Sequence, residues 1–303
     1  MTDIDRPSFL GLTEDWRKPA DVVIMQIPFE MTVSYGSGTA KGPSSVIEAS
    51  RQVETYSELI GEDLPAGLNL RTIDPWNFEG PNLMSFLDSI NSYVFSNVTD
   101  STFPIVLGGE HGILLPVLRG FTRLGKYSMK DLTLIQIDAH ADLRDELNGE
   151  SYSHGTVIRR CLDNGLGKVI QIGVRAYSNE EAKMMEEDSR IQYWTARRVS
   201  ESEAVKKEIL RHISKIKGPV WISLDIDAFD PGIVPGTGTI VPGGLDYWFV
   251  VKIIEEIFTG SGEVVGSDIS EIVPDHYGIT QFTSASLAAV VLASYVAQIR
   301  SGG

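Results

Sequence analysis

The chain has 303 residues, 42% hydrophobic and 22% charged, a balance that supports a packed core and excludes a disordered or fibrous class. Lys and Arg number 26 against 41 Asp and Glu, and the formal net charge of −15 argues against nucleic acid or an anionic membrane as partner and favours cations. A single cysteine, Cys161, excludes an intrachain disulfide framework and a thiolate zinc site, and fits a reducing, cytoplasmic setting. The N-terminal stretch lacks a basic region followed by an apolar run, so no secretory leader is expected. In chain order, the pattern predicts a strand over 21–27, a Gly-rich loop from Tyr35 to Pro43, and a helix over 83–95. Strands follow over 104–107, 132–138 and 169–174, then a charged helix over 201–216 and a strand over 220–225. A second Gly/Pro-rich loop spans 231–244, before a helix over 247–258 and a strand over 263–269. Neither loop carries the lysine-bearing phosphate-cradle spacing. The apolar stretch 285–299, broken by Ser286, Ser294 and Gln298, is short for a membrane span and reads as a buried helix. Several strands are continuously apolar, as in a parallel sheet covered on both faces. With helices alternating and no repeat or linker, one α/β domain over 1–303 is expected.

Chemistry-bearing residues gather after the predicted strands. The strand at 104–107 runs into Gly108-Gly-Glu-His111, a weak signal alone, since a single histidine after a strand is commonly a hydrogen-bonded structural residue. The next strand ends in Asp138-Ala-His140-Ala-Asp142. In extended backbone alternate side chains share a face, so Asp138, His140 and Asp142 are expected to point one way. Ionisable groups converging at the end of an apolar strand are destabilising without compensation, and carboxylate–imidazole–carboxylate suits a divalent cation. A helix cap with a salt bridge accounts for Asp142 and Arg144, but not for Asp138 closing so apolar a run. A third cluster, Asp225-Ile-Asp227-Ala-Phe-Asp230-Pro231, again places two carboxylates at a strand end, where each raises the other's pKa unless a cation intervenes. Asp230, before proline, reads as a turn residue.

Two histidines and four aspartates from three strand ends exceed what one metal uses, whereas two metals bridged by carboxylates use them all. Hard oxygen ligands with two imidazoles and no thiolate favour Mn²⁺, with Fe²⁺, Co²⁺, Ni²⁺ or Zn²⁺ as alternatives. Glu271, at the end of a further strand, can hold a guanidinium through a planar two-pronged hydrogen bond, or be an ordinary surface glutamate. His154 follows the second cluster by a short loop and is either a proton carrier or a structural residue. His212 reads as a surface residue, and His276 as a turn or rim residue.

These motifs, Gly108-Gly-Glu-His111, Asp138-Ala-His-Ala-Asp142 and Ser223-Leu-Asp-Ile-Asp-Ala-Phe-Asp-Pro231, resemble those of the ureohydrolases, the arginase and agmatinase family, and occur in that family's order. The resemblance runs from the loop near Tyr35 past Glu271. It implies an arginase-like fold, a three-layer α/β/α sandwich on a mainly parallel sheet, and two Mn²⁺ ions per chain. By motif position, His111 and Asp142 would bind one metal, His140 and Asp227 the other, with Asp138 and Asp225 bridging. Glu271 matches the guanidinium anchor, His154 the proton-transfer histidine, and Asp142 carries a proton to the departing amine. The stretch after Asp142 matches agmatinases better than animal-type arginases, which implies agmatine cleaved to putrescine and urea by a homo-oligomer, trimeric or hexameric. Arginine, guanidinobutyrate, aminopropylagmatine and formiminoglutamate are alternative substrates. A single-zinc deacetylase-like enzyme and a noncatalytic regulatory partner are the remaining readings.

Overall fold

A computed structural model describes residues 7–301; the first residues of the stretch read for a leader lie outside them. Among the described residues ten strands form, β1 (Val22–Ile27), β2 (Tyr56–Ser57), β3 (Glu62–Asp63), β4 (Leu70–Thr72), β5 (Phe103–Gly108), β6 (Thr133–Ile137), β7 (Lys168–Val174), β8 (Ile191–Thr195), β9 (Gly218–Asp225) and β10 (Gly262–Ser270). Eight of them make one sheet in the order β4-β1-β5-β10-β9-β6-β7-β8, and every neighbouring pair is parallel. The antiparallel β2–β3 ribbon stands apart.

Nine α-helices among the described residues connect and cover these strands: α1 (Gly42–Ser50), α2 (Leu83–Asn97), α3 (Leu114–Thr122), α4 (Val157–Asp163), α5 (Asn179–Glu187), α6 (Ala196–Glu201), α7 (Glu203–Ile213), α8 (Tyr247–Thr259) and α9 (Ile279–Ser301). Alternate strand residues feed two cores. Val22 and Ile24 pack with residues of α1, α8 and α9, whereas Val23, Met25 and Ile27 pack with those of α2, α3 and α4. Burial on both faces explains why β1 and β6 carry no polar alternation, and it yields the three-layer sandwich expected from the sequence.

Three features differ from the sequence reading. The edge strands β4 and β8 were not foreseen: β4 has three residues, and β8 is only partly buried. The helix expected over 201–216 is the shorter α7, which starts only after Ser202, extended (φ −151°, ψ 114°) and capping it by accepting from Val205 N, while Glu201 closes the separate, unforeseen α6. His212 on α7 is half-buried rather than a surface residue, its ring packed edge-on against Trp194 with centroids 5.2 Å apart. α9 is long and apolar enough to span a bilayer, yet Leu287, Ala288, Val291 and Leu292 lie in the core beneath the sheet. It is the buried helix expected from its serines.

Candidate metal centre

The four strands at the middle of the sheet, β5, β10, β9 and β6, are consecutive neighbours, and their carboxyl ends carry the predicted residues. Crossovers leave open space above such strand ends, which is where parallel α/β sheets place ligands. β5 leads to His111, β6 to Asp138, His140 and Asp142, β9 to Asp225 and Asp227, and β10 to Glu271. These seven residues come together there, with His154 as the eighth expected in the site.

Side chains gather in two groups that share Asp138. Donor atoms of His111, Asp138 and Asp142 lie within 4.8 Å of one another, as do those of Asp138, His140 and Asp227. His111 Nδ1 is 2.9 Å from Asp142 Oδ2, 3.2 Å from Asp138 Oδ2 and 3.7 Å from Asp225 Oδ2. His140 Nδ1 is 2.9 Å from Asp227 Oδ2 and 3.7 Å from Asp138 Oδ1. Asp138 thus turns one oxygen to each group.

The convergence is not the strand alternation expected from spacing. β6 ends at Ile137, and Asp142 sits in the left-handed region at φ 53°. β9 ends at Asp225, whose Oδ1 accepts from Asp227 N at 2.9 Å as the chain winds into a single 3₁₀ turn, Ile226–Ala228. Turns, rather than extended backbone, aim Asp142 and Asp227 inward. Asp230 is the turn residue expected, accepting from the backbone N–H groups of Gly232, Gly243 and Gly244. His276 is exposed in a turn.

The donor set fits divalent cations. Ser223 Oγ donates to the buried Asp268 Oδ2 at 2.8 Å, so it is free to accept from His111 Nε2 at 2.9 Å. With its proton on Nε2, the His111 ring presents the Nδ1 lone pair to carboxylate oxygens, an acceptor facing acceptors. Only a proton or a metal ion resolves that arrangement. Five carboxylates (Asp138, Asp142, Asp225, Asp227 and Glu271) are at most 5% exposed, against two imidazoles. Even with both imidazoles protonated the group stays anionic, and Arg175 spends its guanidinium on the carbonyls of Asp227, Phe229 and Val241.

The same crowding moves the proton affinities. Burial, then the charges of Asp142 and Asp227, push Asp138 up to about 7. Burial pushes Glu271 up to about 8, opposed by the His111 N–H and reinforced by Glu110. Burial works against a protonated His140, but the hydrogen bond and charge of Asp227 carry it to about 10. Burial likewise opposes the charged form of His111, and hydrogen bonds with Asp138 and Asp142 hold it well above the usual histidine value.

Glu271 is buried beside the metal groups rather than being a surface residue. Its backbone is left-handed (φ 61°), its Oε1 accepts from His111 N at 2.6 Å, and its Oε2 faces Gly238 of the second Gly-rich loop. The two Gly-rich loops meet here: Gly36 N donates to Gly238 O at 3.0 Å. Next to them opens a cavity of about 470 Å³ whose lining includes His140, Asp142, His154, Thr239, Arg144 and Tyr177. His154 turns Nδ1 to Thr32 Oγ1 (3.4 Å) and Nε2 to Ser34 Oγ (3.3 Å).

Sequence reasoning missed the residues that hold these groups. Glu110, wholly buried, accepts from Met31 N, Thr32 N and Thr32 Oγ1 at 2.6–2.8 Å and pins the 31–34 segment against His154. Arg144 pairs not with Asp142 but with Glu181 (3.7 Å) on the cavity rim. Their signal was a charged residue inside a motif, Glu110, or a polar residue inside an apolar strand, such as Asp268 in β10.

A family model for the arginase family matches residues 20–297. The chain belongs to the arginase family. It is 33% identical to an N(1)-aminopropylagmatine ureohydrolase of Synechocystis sp. over 274 residues, covering 89% of this chain and 87% of that one. Over 294 residues it is 33% identical to the agmatinase of Bacillus subtilis, covering 95% and 96% of the two chains. Among solved structures, the agmatine ureohydrolase of Thermoplasma volcanium superposes with a TM-score of 0.77 at 31% identity, covering 93% of this chain and 92% of that one. The family is that of binuclear metal enzymes, and the paired His/Asp groups match it in number and kind.

Proposed function

We propose that the chain, acting as one domain over residues 1–303, hydrolyses agmatine to putrescine and urea with two Mn²⁺ ions. The observation that carries this is the pair of His/Asp groups sharing Asp138, joined to relatives named for agmatine and aminopropylagmatine. His111 and Asp142 would hold one ion and His140 and Asp227 the other, with Asp138 and Asp225 serving both. The two ions would supply the charge that makes water nucleophilic near neutral pH and would steady the charge developing at the reaction centre.

The chain's own residues do the rest. Glu271, beneath the Gly36–Gly238 contact, accepts the guanidinium through two hydrogen bonds and presents its carbon to the carboxylate cluster. Water adds at that carbon, and the bond from carbon to the alkyl nitrogen breaks. Asp142, which lines the cavity, takes the proton released by the attacking water and delivers it to that nitrogen, so that amine and urea leave. His154, half-buried on the same cavity, carries protons between the site and solvent.

Substrate choice follows from the far end of the molecule. Agmatine and aminopropylagmatine end in amines, whereas arginine, guanidinobutyrate and formiminoglutamate carry carboxylates. The chain's net charge of −15 favours the amines, and Glu181 offsets Arg144 at the mouth. Aminopropylagmatine is the second reading, supported by the Synechocystis relative at equal identity. The enzyme is placed in the cytoplasm as a homo-oligomer, a trimer or hexamer, for which Trp248 and Tyr277 (75% and 84% exposed) offer apolar surface. Urea and formamide release should be measured over all five compounds with Mn²⁺-loaded protein. Agmatine is expected to exceed arginine at least about 10²-fold in kcat/KM, the discrimination a charged tail supports. Preference for a carboxylate-bearing compound contradicts the substrate assignment, and no turnover on any of the five favours the regulatory reading.

A further inference from the structure

Beneath the two donor groups, strands whose buried middles are otherwise Val, Ile and Leu carry a pair of glutamines. Gln136 of β6 and Gln171 of β7 are cross-strand partners, and both are fully buried. Their hydrogen bonds leave no choice of orientation. Gln171 Nε2 donates to Gln136 Oε1 at 2.7 Å and to the Ala141 carbonyl at 2.8 Å. Gln136, committed as acceptor at Oε1, turns Nε2 to Asp138 and donates to Oδ2 at 2.7 Å, with the His140 carbonyl at 3.4 Å. Flipping the Gln171 amide would set oxygen against oxygen at both of its contacts.

The pair is not there to stabilise the sheet. Gln171 Oε1 is buried and has no partner, and a buried amide with an unmet acceptor is worse for folding than an apolar residue of the same shape. What the pair accomplishes lies at its end, on Asp138. Asp138 Oδ1 accepts from His140 N at 2.6 Å and faces the His140–Asp227 group, whereas Oδ2 faces His111 Nδ1 at 3.2 Å. Rotation about the bond to a carboxylate is soft, so an oxygen without a donor drifts. The Gln136 N–H is the donor that holds Oδ2 toward the His111 side.

We propose that Gln136, itself held by Gln171, is a positioning residue that orients Asp138 as the shared ligand and so sets the affinity of the cation on the His111–Asp142 side. This rests on the two-cation reading above. The test is a Mn²⁺ titration of metal-stripped protein, followed by calorimetry and by the spin signal of free Mn²⁺. Wild type resolves two bound ions. Gln136→Met, of similar shape but without a donor, should weaken one ion about 10–100-fold and leave the other within about threefold. Gln171→Met, which frees Gln136 to rotate, should weaken the same ion by less. Equal weakening of both ions, or no change at either, in a Gln136→Met protein with wild-type circular dichroism overturns the proposal. Should Gln136→Met fail to fold, unchanged affinities in Gln171→Met overturn it instead. A wild-type protein that binds fewer than two ions overturns the two-cation reading, and this proposal with it, before any variant is compared.

Discussion

Asp142 and Glu271 both adopt left-handed backbone, at φ 53° and 61°, a conformation that is destabilising by about 1–3 kcal/mol for a residue with a side chain. Each is thereby aimed at one small buried volume with Asp138, Asp225 and Asp227, where burial first and mutual repulsion second make carboxyl groups hold protons that the unfolded chain releases. Asp138 and Glu271 rise to about 7 and about 8 from ordinary values of 3.8 and 4.5, and His140 rises to about 10 from 6.5. In the window from about pH 4.5 to 8 the folded state binds more protons than the unfolded one, so stability falls as pH rises. Asp227 runs the other way: burial raises it, but hydrogen bonds from His140 and Ala139 N outweigh that, and its contribution is lost only below the window. Divalent cations take the place of the protons. The metal-stripped protein should therefore melt at a higher temperature near pH 6 than near pH 8.5, and added Mn²⁺ should raise Tm more at the higher pH. Thermal scans at the two pH values check this; a Tm gain independent of pH would contradict the crowded-carboxylate account.

At the scale of elements, the loops do what the strands cannot. A Cβ on Gly36 would lie 2.8 Å from the Gly238 carbonyl oxygen, and that contact is backbone, so the two Gly-rich loops would have to part. Gly238 faces Glu271, the residue proposed to hold the guanidinium, and a shift of about 1 Å at such a group lowers turnover about 10²-fold. Gly36→Ala is expected to reduce kcat/KM for agmatine by that order while both Mn²⁺ ions bind as before, since no donor atom belongs to either loop. Steady-state kinetics beside a metal titration tests it, and loss of metal together with activity would place the loops in the metal site instead. The strands leading into the site were legible to within one or two residues, β5, β6 and β9 because each is a largely apolar run closed by Gly or Asp, and β10 from its Val264–Val265 and Ile269 alone. β4 and β8 were not, since three residues of β4 give no pattern and the open edge leaves β8 half polar. The candidate ligands were legible because carboxylates closing apolar strands demand compensation. Their aim was not: alternation placed Asp142 and Asp227 on the correct side through the wrong backbone, and no local pattern announces a left-handed residue or a 3₁₀ turn.

For the whole molecule, what brings the pieces together is the strand order. β5, β10, β9 and β6 are neighbours although β9 and β10 come more than a hundred residues after β5, and such pairing is not written in any window of sequence. The same order accounts for Glu110, Gln136, Gln171 and Asp268, which look like ordinary polar residues until the sheet sets them beneath or beside the cluster. Membership of the arginase family supplies the chemistry, and the geometry supplies two groups of His and Asp donors that share Asp138, one of its oxygens turned to each. The central claim is that two cations act as a unit. It is tested most directly by adding Mn²⁺ to metal-stripped protein while urea release from agmatine is followed. Activity should rise to its maximum at two equivalents per chain. Full activity at one equivalent, or urea release that does not depend on added metal, would contradict the account.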